Sequence, residues 1–226
     1  MGVRVTQRSA PIRTFHPRRG RIGPIAAQAL ERMWPQFGIE LSSEPIDLAR
    51  LFNGLPVILE IGSGMGEATA ELAARQPHIA ILAVDVHTPG IATLARRCEE
   101  QELTNVRAVI GDAIDVLTDM IRPESLAGVR AFFPDPWPKA RHTKRRLIRP
   151  DLVDLLASRI APRGFLHTAT DWPDYADQML SVLDDCPLLQ IDGESAPSRP
   201  LTRYERIAIE QGRRSWDFYY LKRSGT

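Results

Sequence analysis

The stretch Val57 to Gly66 reads VILEIGSGMG and decides the fold class. Its first five residues are apolar apart from Glu60, which is typical of a short buried β-strand. Three glycines then alternate with other residues, and a helical pattern begins near Gly66. Glycine lets the backbone turn tightly and approach a bound ligand without a Cβ in the way. The stretch therefore predicts a strand, a ligand-binding turn and a helix, in that order.

The chain beyond this stretch continues the same alternation of short β-branched runs and amphipathic helical windows. This alternation is typical of a parallel sheet with crossover helices. We predict strands at 57–62, 79–86, 106–113, 129–135 and 164–171, and helices that begin near Gly66, Pro89, Ala113, Pro150 and Asp171. Two later strand-like runs, 188–192 and 215–223, have no clear helix between them and indicate an antiparallel pair at the sheet edge. The predicted fold is α/β, with a mostly parallel seven-stranded sheet and helices on both faces.

The first 55 residues differ in composition from the rest of the chain. Residues 1–24 contain six arginines and no acidic residue, and helical patterns appear only at 24–34 and 45–52. We predict a basic N-terminal arm with short helices at 1–55 and a single α/β domain at 56–226.

Overall composition excludes several classes of protein. The chain has 226 residues, 43% of them hydrophobic, which is enough for one substantial core. The formal net charge is only +1, but residues 139–149 form a second basic block without an acid, so we expect one basic face. Two distant cysteines without zinc spacing predict a reducing cytoplasm and no metal. No apolar run approaches the roughly twenty residues that cross a bilayer, so we expect no membrane partner.

Acidic residues stand at the ends of three successive predicted strands: Glu60, Asp85 and Asp112. In an open α/β sheet, ligands bind outside the carboxyl ends of the strands. A dinucleotide fingerprint would place its third glycine at Glu67 and a pyrophosphate near Glu60, so NAD is disfavoured. A single aspartate at a strand end is also a common helix N-cap, and this alternative applies to Asp112.

The spacing E-x-G-x-G-x-G resembles the nucleoside-binding loop of class I S-adenosylmethionine-dependent methyltransferases. This ligand carries positive charge and no phosphate, so a carboxylate in the loop is favourable. The resemblance implies that the loop holds the cofactor through Gly62, Gly64 and Gly66. Asp85 then suits the two ribose hydroxyls and Asp112 the adenine amino group.

The fourth predicted strand leads into FFPDPWPKARHTKRRL, residues 132–147. Prolines on both sides of Asp135 restrict its backbone and lower the cost of holding it in place. Trp137 either stacks on a base or packs under the loop, and both alternatives remain open. Six cationic residues are candidates for contact with an RNA backbone: Arg141, Lys144, Arg145 and Arg146 after the loop, and Arg18 and Arg19 in the N-terminal arm.

PDPWPK, together with EIGSGMG, GDA, ATDW and the terminal TRYE and GRRSWDFYY, resembles the bacterial tRNA (guanine-N7)-methyltransferase family from about residue 13 to residue 220. PDPWPK is the specific motif, whereas the glycine loop is generic. The resemblance implies a Rossmann-like class I methyltransferase fold and S-adenosylmethionine as cofactor. It also implies methyl transfer to N7 of a guanine in tRNA, expected at position 46 in the variable loop.

The resemblance also implies roles for individual residues. Cofactor binding is expected from Glu60, Asp85, Asp112 and Asp135, and Asp135 is also the expected catalytic residue. Substrate binding is expected from Lys139, Asp171, Thr202, Arg203, Tyr204 and Glu205. Asp85 and Tyr204 stand where many members have Glu and Phe.

The chemistry of the target limits the role of Asp135. Guanine N7 is an exposed acceptor on the major-groove edge and carries no proton at neutral pH. No base is needed to release its lone pair, so we expect Asp135 to orient the guanine and to stabilise developing positive charge. Alignment of the reactants, which can contribute on the order of 7–11 kcal/mol, is the larger expected contribution.

Two alternatives compete with this interpretation. An N-methyltransferase that acts on adenine or on a small amine also has an acid-proline-aromatic motif after its fourth strand, but the flanking basic blocks favour RNA. A non-catalytic RNA-binding protein with the same fold is disfavoured by the intact acids at three strand ends. The sequence leaves open whether the chain is a monomer or a homodimer.

Overall fold

The structure is a computed structural model that describes residues 14–15, 20–192 and 196–224. These residues form one sheet, whose strands are β1 (Gly38–Ile39), β2 (Val57–Ile61), β3 (Ala80–Asp85), β4 (Val106–Ile110), β5 (Leu126–Phe132), β6 (Ile160–Thr170), β7 (Leu189–Ile191) and β8 (Trp216–Lys222). The order across the sheet is β1-β4-β3-β2-β5-β6-β8-β7. Neighbouring strands run parallel except that β8 is antiparallel to β6 and to β7. The predicted mostly parallel sheet with an antiparallel edge is confirmed.

The prediction of seven strands is one short. The additional strand, β1, has only two residues and pairs in parallel with β4, with Gly38 opposite Ala108. Two residues show no periodicity, so the hydrophobic pattern could not reveal them. Glycine is needed here because a Cβ added to Gly38 would lie 2.1 Å from the ring of Trp34.

The helices of the described residues are α1 (Pro24–Phe37), α2 (Leu48–Leu51), α3 (Glu67–Arg75), α4 (Thr88–Glu100), α5 (Ala113–Asp115), α6 (Pro150–Arg159), α7 (Pro173–Asp184) and α8 (Arg203–Glu210). A π-helical turn, Val116–Met120, continues α5, and a 3₁₀ turn covers Ala140–Arg145. The predicted starts of α3 to α7 are confirmed to within two residues. Proline occupies the first turn of α6 and of α7, where its missing N–H costs no intrahelical bond.

Helix α8 contradicts the expectation that no helix lies between the last two strand-like runs. Thr202 caps this helix, because its hydroxyl oxygen accepts a hydrogen bond of 3.1 Å from the backbone N–H of Glu205. Threonine followed by glutamate three residues later is the spacing of a capping box. That spacing is the sequence signal from which α8 could have been predicted.

Helices cover both faces of the sheet, as predicted. One apolar cluster contains strand residues such as Leu82 together with residues of α6 and α7, and a second contains Ile81 together with residues of α1, α3 and α4. Neighbouring residues of β3 thus point to opposite faces, as a strand requires. Both α1 and β1 lie within the predicted N-terminal arm, and they pack against α4 and β4. The division of the chain at residue 55 stays a prediction.

The strand order reverses at β2, and this places a crevice at the carboxyl end of that strand. The chain continues from β2 to β3 and β4 on one side, whereas β5 and β6 lie on the other side. Ligands in open α/β sheets bind outside the carboxyl ends of the strands at such a point. A cleft at this position is lined by residues that end β2, β3, β4 and β5, and by the start of α8.

Candidate active site

The glycine-rich turn after β2 forms the floor of the cleft. Gly62 and Gly64 have φ values of 82° and 56°, and a Cβ added to either would meet nothing within 4 Å. Gly66 caps α3 at φ 72°, and a Cβ there would lie 2.6 Å from the Cβ of Leu94 in α4. The first two glycines therefore leave the backbone open to a ligand, whereas the third permits close helix packing.

Glu60 and Ser63 present polar atoms to the cleft that have no partner among the described residues. Glu60 is 4% exposed, and its Oε1 accepts a hydrogen bond of 3.1 Å from the hydroxyl of Thr69. Its Oε2 and the hydroxyl of Ser63 are buried and make no hydrogen bond to a described residue. Burial raises the pKa of Glu60, and the nearby Arg130 guanidinium opposes that shift. Unsatisfied buried acceptors are rare in folded proteins, so these atoms fit a site for a polar, cationic ligand.

Asp85 ends β3 and organises the backbone on its side of the cleft. Its carboxylate accepts hydrogen bonds from the backbone N–H of Gly64 at 2.9 Å and of His87 at 2.8 Å. The first bond ties the glycine-rich turn to the neighbouring strand. Asp85 and His87 both line the cleft.

Asp112 ends β4 and caps the next helix. Its Oδ1 accepts a hydrogen bond of 3.0 Å from the backbone N–H of Ile114, at the start of α5. The helix-cap alternative is therefore confirmed for Asp112. A carboxylate has acceptor capacity beyond one bond, and Asp112 also lines the cleft, so its role towards a ligand stays a prediction.

The PDPWPK loop begins where β5 ends and forms the opposite wall. Asp135 lines the cleft, and Trp137 packs beneath the loop with an exposed fraction of 2%. The indole N–H of Trp137 donates to the backbone oxygen of Thr14 over 3.1 Å, and the Arg145 guanidinium lies 4.9 Å from the ring centre. Of the two alternatives for Trp137, the structure favours packing over base stacking.

Arg146 does not face solvent, and its prediction as an RNA-backbone contact is corrected. The side chain is 2% exposed. Its guanidinium donates to Pro136 O at 2.8 Å and to Gln178 Oε1 at 2.7 Å, and it pairs with Asp174. It also lies 4.8 Å from the centre of the Tyr175 ring. Arg146 thus joins the PDPWPK loop to α7 and has no face left for a phosphate.

The other cations of the basic run have different surroundings. Lys139, Arg141 and Lys144 are exposed, and Arg145 is half-buried above Trp137. Arg18 and Arg19 lie outside the described residues.

The residues expected to bind substrate are divided between the cleft and its surroundings. Thr202, Arg203 and Tyr204 line the cleft at the start of α8. Glu205 is buried and pairs with Arg199, while Asp171 pairs with Arg213. Lys139, the last residue of the PDPWPK loop, is exposed on the surface.

Sequence reasoning missed several residues of the site. Thr14 and Phe15 line the cleft from the N-terminal segment, and Ser63 lines it from within the glycine-rich turn. Arg199 connects α8 to β8 through an ion pair with Asp217. Only Ser63 had a usable signal, because it stands between two glycines of the predicted turn. The other contacts join distant segments and leave no local pattern.

Residues 14–15, 20–192 and 196–224 contain neither a metal-binding cluster nor a membrane-spanning helix. No group of three or more His, Cys, Asp or Glu side chains is placed to hold a metal ion. No helix in these ranges has the length and apolar composition needed to cross a membrane.

Comparison with known proteins identifies relatives over most of the chain. Residues 55–218 match a family model described as "Putative methyltransferase". A tRNA (guanine-N(7)-)-methyltransferase of Streptomyces avermitilis is 50% identical over 208 residues, which cover 89% of this chain and 72% of that protein. Another of the same name, from Nitrosospira multiformis, is 48% identical over 220 residues, which cover 95% of this chain and 96% of that protein.

Solved structures share the fold at low sequence identity. The crystal structure of the 16S rRNA methyltransferase KamB aligns with a TM-score of 0.58 and 14% identity, over 80% of this chain and 95% of that one. An rRNA methylase from Streptococcus thermophilus aligns with a TM-score of 0.52 and 14% identity, over 78% and 92% of the two chains. These structures establish the class I methyltransferase fold.

Proposed function

Since the chain belongs to the tRNA (guanine-N(7)-)-methyltransferase family, we propose that it transfers a methyl group from S-adenosylmethionine to N7 of a guanine in tRNA, which gives 7-methylguanosine. One observation carries the proposal. The glycine-rich turn with its three strand-end acids faces Asp135 and the start of α8 across a single cleft. The expected target is the variable-loop guanine at position 46, and the expected compartment is the cytoplasm.

The glycine-rich turn, Glu60, Asp85 and Asp112 line one half of the cleft, here called the cofactor half. This half fits S-adenosylmethionine. When bound, this cofactor supplies the methyl group from a positively charged sulfur. Glu60 offers a buried carboxylate oxygen that makes no hydrogen bond to a described residue, and such an acceptor suits a cationic ligand. Asp85 and Asp112 are the expected partners of the ribose hydroxyls and the adenine amino group. The absence of phosphate in the ligand makes these acids favourable rather than repulsive.

The PDPWPK loop with Asp135 and the start of α8 line the other half of the cleft, here called the substrate half. This half has the groups that methylation of guanine N7 needs. Because N7 carries a lone pair and no proton, no residue of the chain has to act as a base. The purine gains positive charge, so the Asp135 carboxylate stabilises that charge and holds the N–H edge of the guanine. Prolines at 134 and 136 restrict the loop that carries Asp135, which reduces the entropy cost of alignment.

The surface around the cleft suits an RNA backbone. Lys139 is exposed at the end of the PDPWPK loop, Arg141 and Lys144 are exposed after it, and Arg203 is exposed at the start of α8. We propose that these side chains contact phosphates and that Thr202 and Tyr204 contact the target nucleoside. Contacts from the predicted N-terminal arm, including Arg18 and Arg19, belong to the same proposal.

The decisive experiment identifies the methylated nucleoside. Unmodified tRNA is incubated with the protein and methyl-labelled S-adenosylmethionine, and the RNA is then digested to nucleosides. We expect the label in 7-methylguanosine, and we expect its loss when the variable-loop guanine is replaced by adenine. Label in a methylated exocyclic amine would support the adenine or small-amine alternative. No transfer by protein that binds tRNA would support the non-catalytic alternative, and either result overturns the proposal.

A further inference from the structure

Two walls of the cleft come from segments far apart in the chain. Asp135 belongs to the loop after β5, whereas Thr202 and Tyr204 belong to the start of α8. If both walls contact one nucleoside, their separation has to be fixed within a fraction of an ångström. The backbone N–H of Phe133 donates to Ala169 O of β6 at 2.8 Å, but within the described residues no backbone hydrogen bond joins the loop to α8, so side chains have to fix their separation.

Arg199 provides a restraint on α8. Its side chain is 7% exposed and donates two hydrogen bonds to Glu205, at 2.5 and 3.1 Å. It donates two more to Asp217 of β8, at 2.7 and 2.9 Å. Both pairs are bidentate, which fixes the direction of the guanidinium plane as well as its position.

The same guanidinium contacts the base of the PDPWPK loop. It lies 4.9 Å from the centre of the Phe132 ring and 5.3 Å from that of Phe133, the last two residues before Pro134 and Asp135. Phe133 has a φ of 53°, a conformation that a bulky side chain adopts only when its surroundings hold it. The contacts of Arg199 with both rings are among these surroundings.

Asp217 also connects Arg199 to β5 by a second route, through His167 and Phe132. Its Oδ1 also lies 2.9 Å from Nε2 of His167, and the His167 ring meets the Phe132 ring edge-on at a centre distance of 4.9 Å. Burial works against the Asp217 carboxylate, but hydrogen bonds from His167 and Arg199 lower its pKa to about 2. Asp217 is therefore a charged anchor at neutral pH.

We propose that Arg199 is a positioning residue that fixes the Asp135 loop relative to α8, and thereby the alignment of the target guanine. The inference rests on the proposed function, because it assigns both walls to one substrate. Arg199 does not line the cleft, so it acts through Glu205, Phe132 and Phe133. Its loss should slow methyl transfer within the bound complex more than it weakens either binding step.

The test replaces Arg199 by lysine, which keeps the charge but cannot form two bidentate pairs or stack as a plane. At saturating tRNA and cofactor, we expect kcat to fall by about thirtyfold to a hundredfold. The Kd for S-adenosylmethionine, measured by calorimetry, and the KM for tRNA should stay within about threefold. Arg32→Lys is the matched control, because Arg32 makes a bidentate pair with Glu99 between α1 and α4 at 2.8 Å; its kcat should be unchanged.

Asp217→Asn tests the same restraint if Arg199→Lys does not fold. It removes the charge of one anchor, and we expect a smaller loss, about fivefold to tenfold in kcat, with cofactor binding retained. The proposal is overturned if the folded variants keep the wild-type kcat, or if kcat falls only in proportion to the folded fraction. A wild-type protein that methylates no guanine in tRNA would instead overturn the proposed function, so the two failures are distinguishable.

Discussion

The two halves of the cleft are held together in different ways. In the cofactor half, Asp112 bonds a backbone N–H two residues away, and Asp85 does the same with His87. In the substrate half, Trp137 bonds Thr14 across 123 residues and Arg146 bonds Asp174 across 28. The cofactor half therefore combines local turns and caps with one longer bond, from Gly64 to Asp85, whereas the substrate half depends on tertiary packing. Substitutions in the two halves should therefore differ in how strongly they affect ligand binding, kcat and the free energy of unfolding.

The largest effect is expected at Asp135, where the halves meet. Asp135→Ala removes the carboxylate that we propose to face the guanine, and we expect kcat to fall by about a hundredfold to a thousandfold. The Kd values for tRNA and S-adenosylmethionine should change much less, because the proposed role of Asp135 is stabilisation of charge in the transition state. Asp135→Asn separates charge from size, and it should retain alignment while losing charge stabilisation. A wild-type kcat for Asp135→Ala would contradict the assignment.

A large effect on stability is expected at Arg146, on the substrate side. Arg146→Met keeps the length of the side chain but leaves Pro136 O and Gln178 Oε1 without their donor at a buried position. We expect the free energy of unfolding to fall by about 2–3 kcal/mol. Asp174 contributes little to this loss, because it is 71% exposed and regains water. Urea denaturation with an unchanged m-value measures the effect, and a loss below about 0.5 kcal/mol would contradict the role of Arg146 as a buried link.

The difference between local and long-range contacts explains how much of the fold and of the site could be predicted from the sequence. Strands β2 to β8, the starts of α3 to α7 and the three strand-end acids follow from short-range patterns, and the structure confirms these strands and helices. Arg146 was assigned to the surface because it stands in a run of cations, and its partners Asp174 and Gln178 lie in α7. Arg199 gave no signal for the same reason, since Asp217 is 18 residues away in β8. Local sequence shows which charges are present, but only packing decides which of them are buried.

A smaller and mixed effect is expected at Glu60, on the cofactor side. Burial raises the pKa of Glu60 in the folded state. The resulting stability is fully present below the ordinary pKa of glutamate, about 4.3, and is lost as pH rises through the raised value. At neutral pH the buried Glu60 carboxyl therefore lowers the stability of the folded protein relative to low pH. Glu60→Gln removes this cost, and we expect the ligand-free protein to gain about 1 kcal/mol of stability at pH 7.5.

The same substitution should weaken S-adenosylmethionine binding by about tenfold if Glu60 binds this cationic ligand as we propose. Melting curves from pH 7.5 down to 4.5 and calorimetric titration with S-adenosylmethionine measure the two effects. Thr69→Val is a useful control, since it removes the hydrogen bond to Glu60 Oε1 without changing the charge. A Glu60→Gln protein that is less stable and binds normally would show that the charge serves the fold rather than the ligand.

The smallest effect is expected at Lys144, two positions from Arg146 in the same basic run. Lys144 is exposed, so Lys144→Ala should change the free energy of unfolding by less than about 0.5 kcal/mol. If it contacts a phosphate, the slope of log K against log salt for tRNA should decrease by about 0.7–0.9. Arg122→Ala is the control, because Arg122 is exposed before the amino-terminal end of β5, whereas the cleft lies at the carboxyl ends of the strands; this variant should leave the slope unchanged. Equal slopes for both variants would contradict a phosphate contact at Lys144. The exposed Lys144 and the buried Arg146 would then not differ in their contribution to RNA binding.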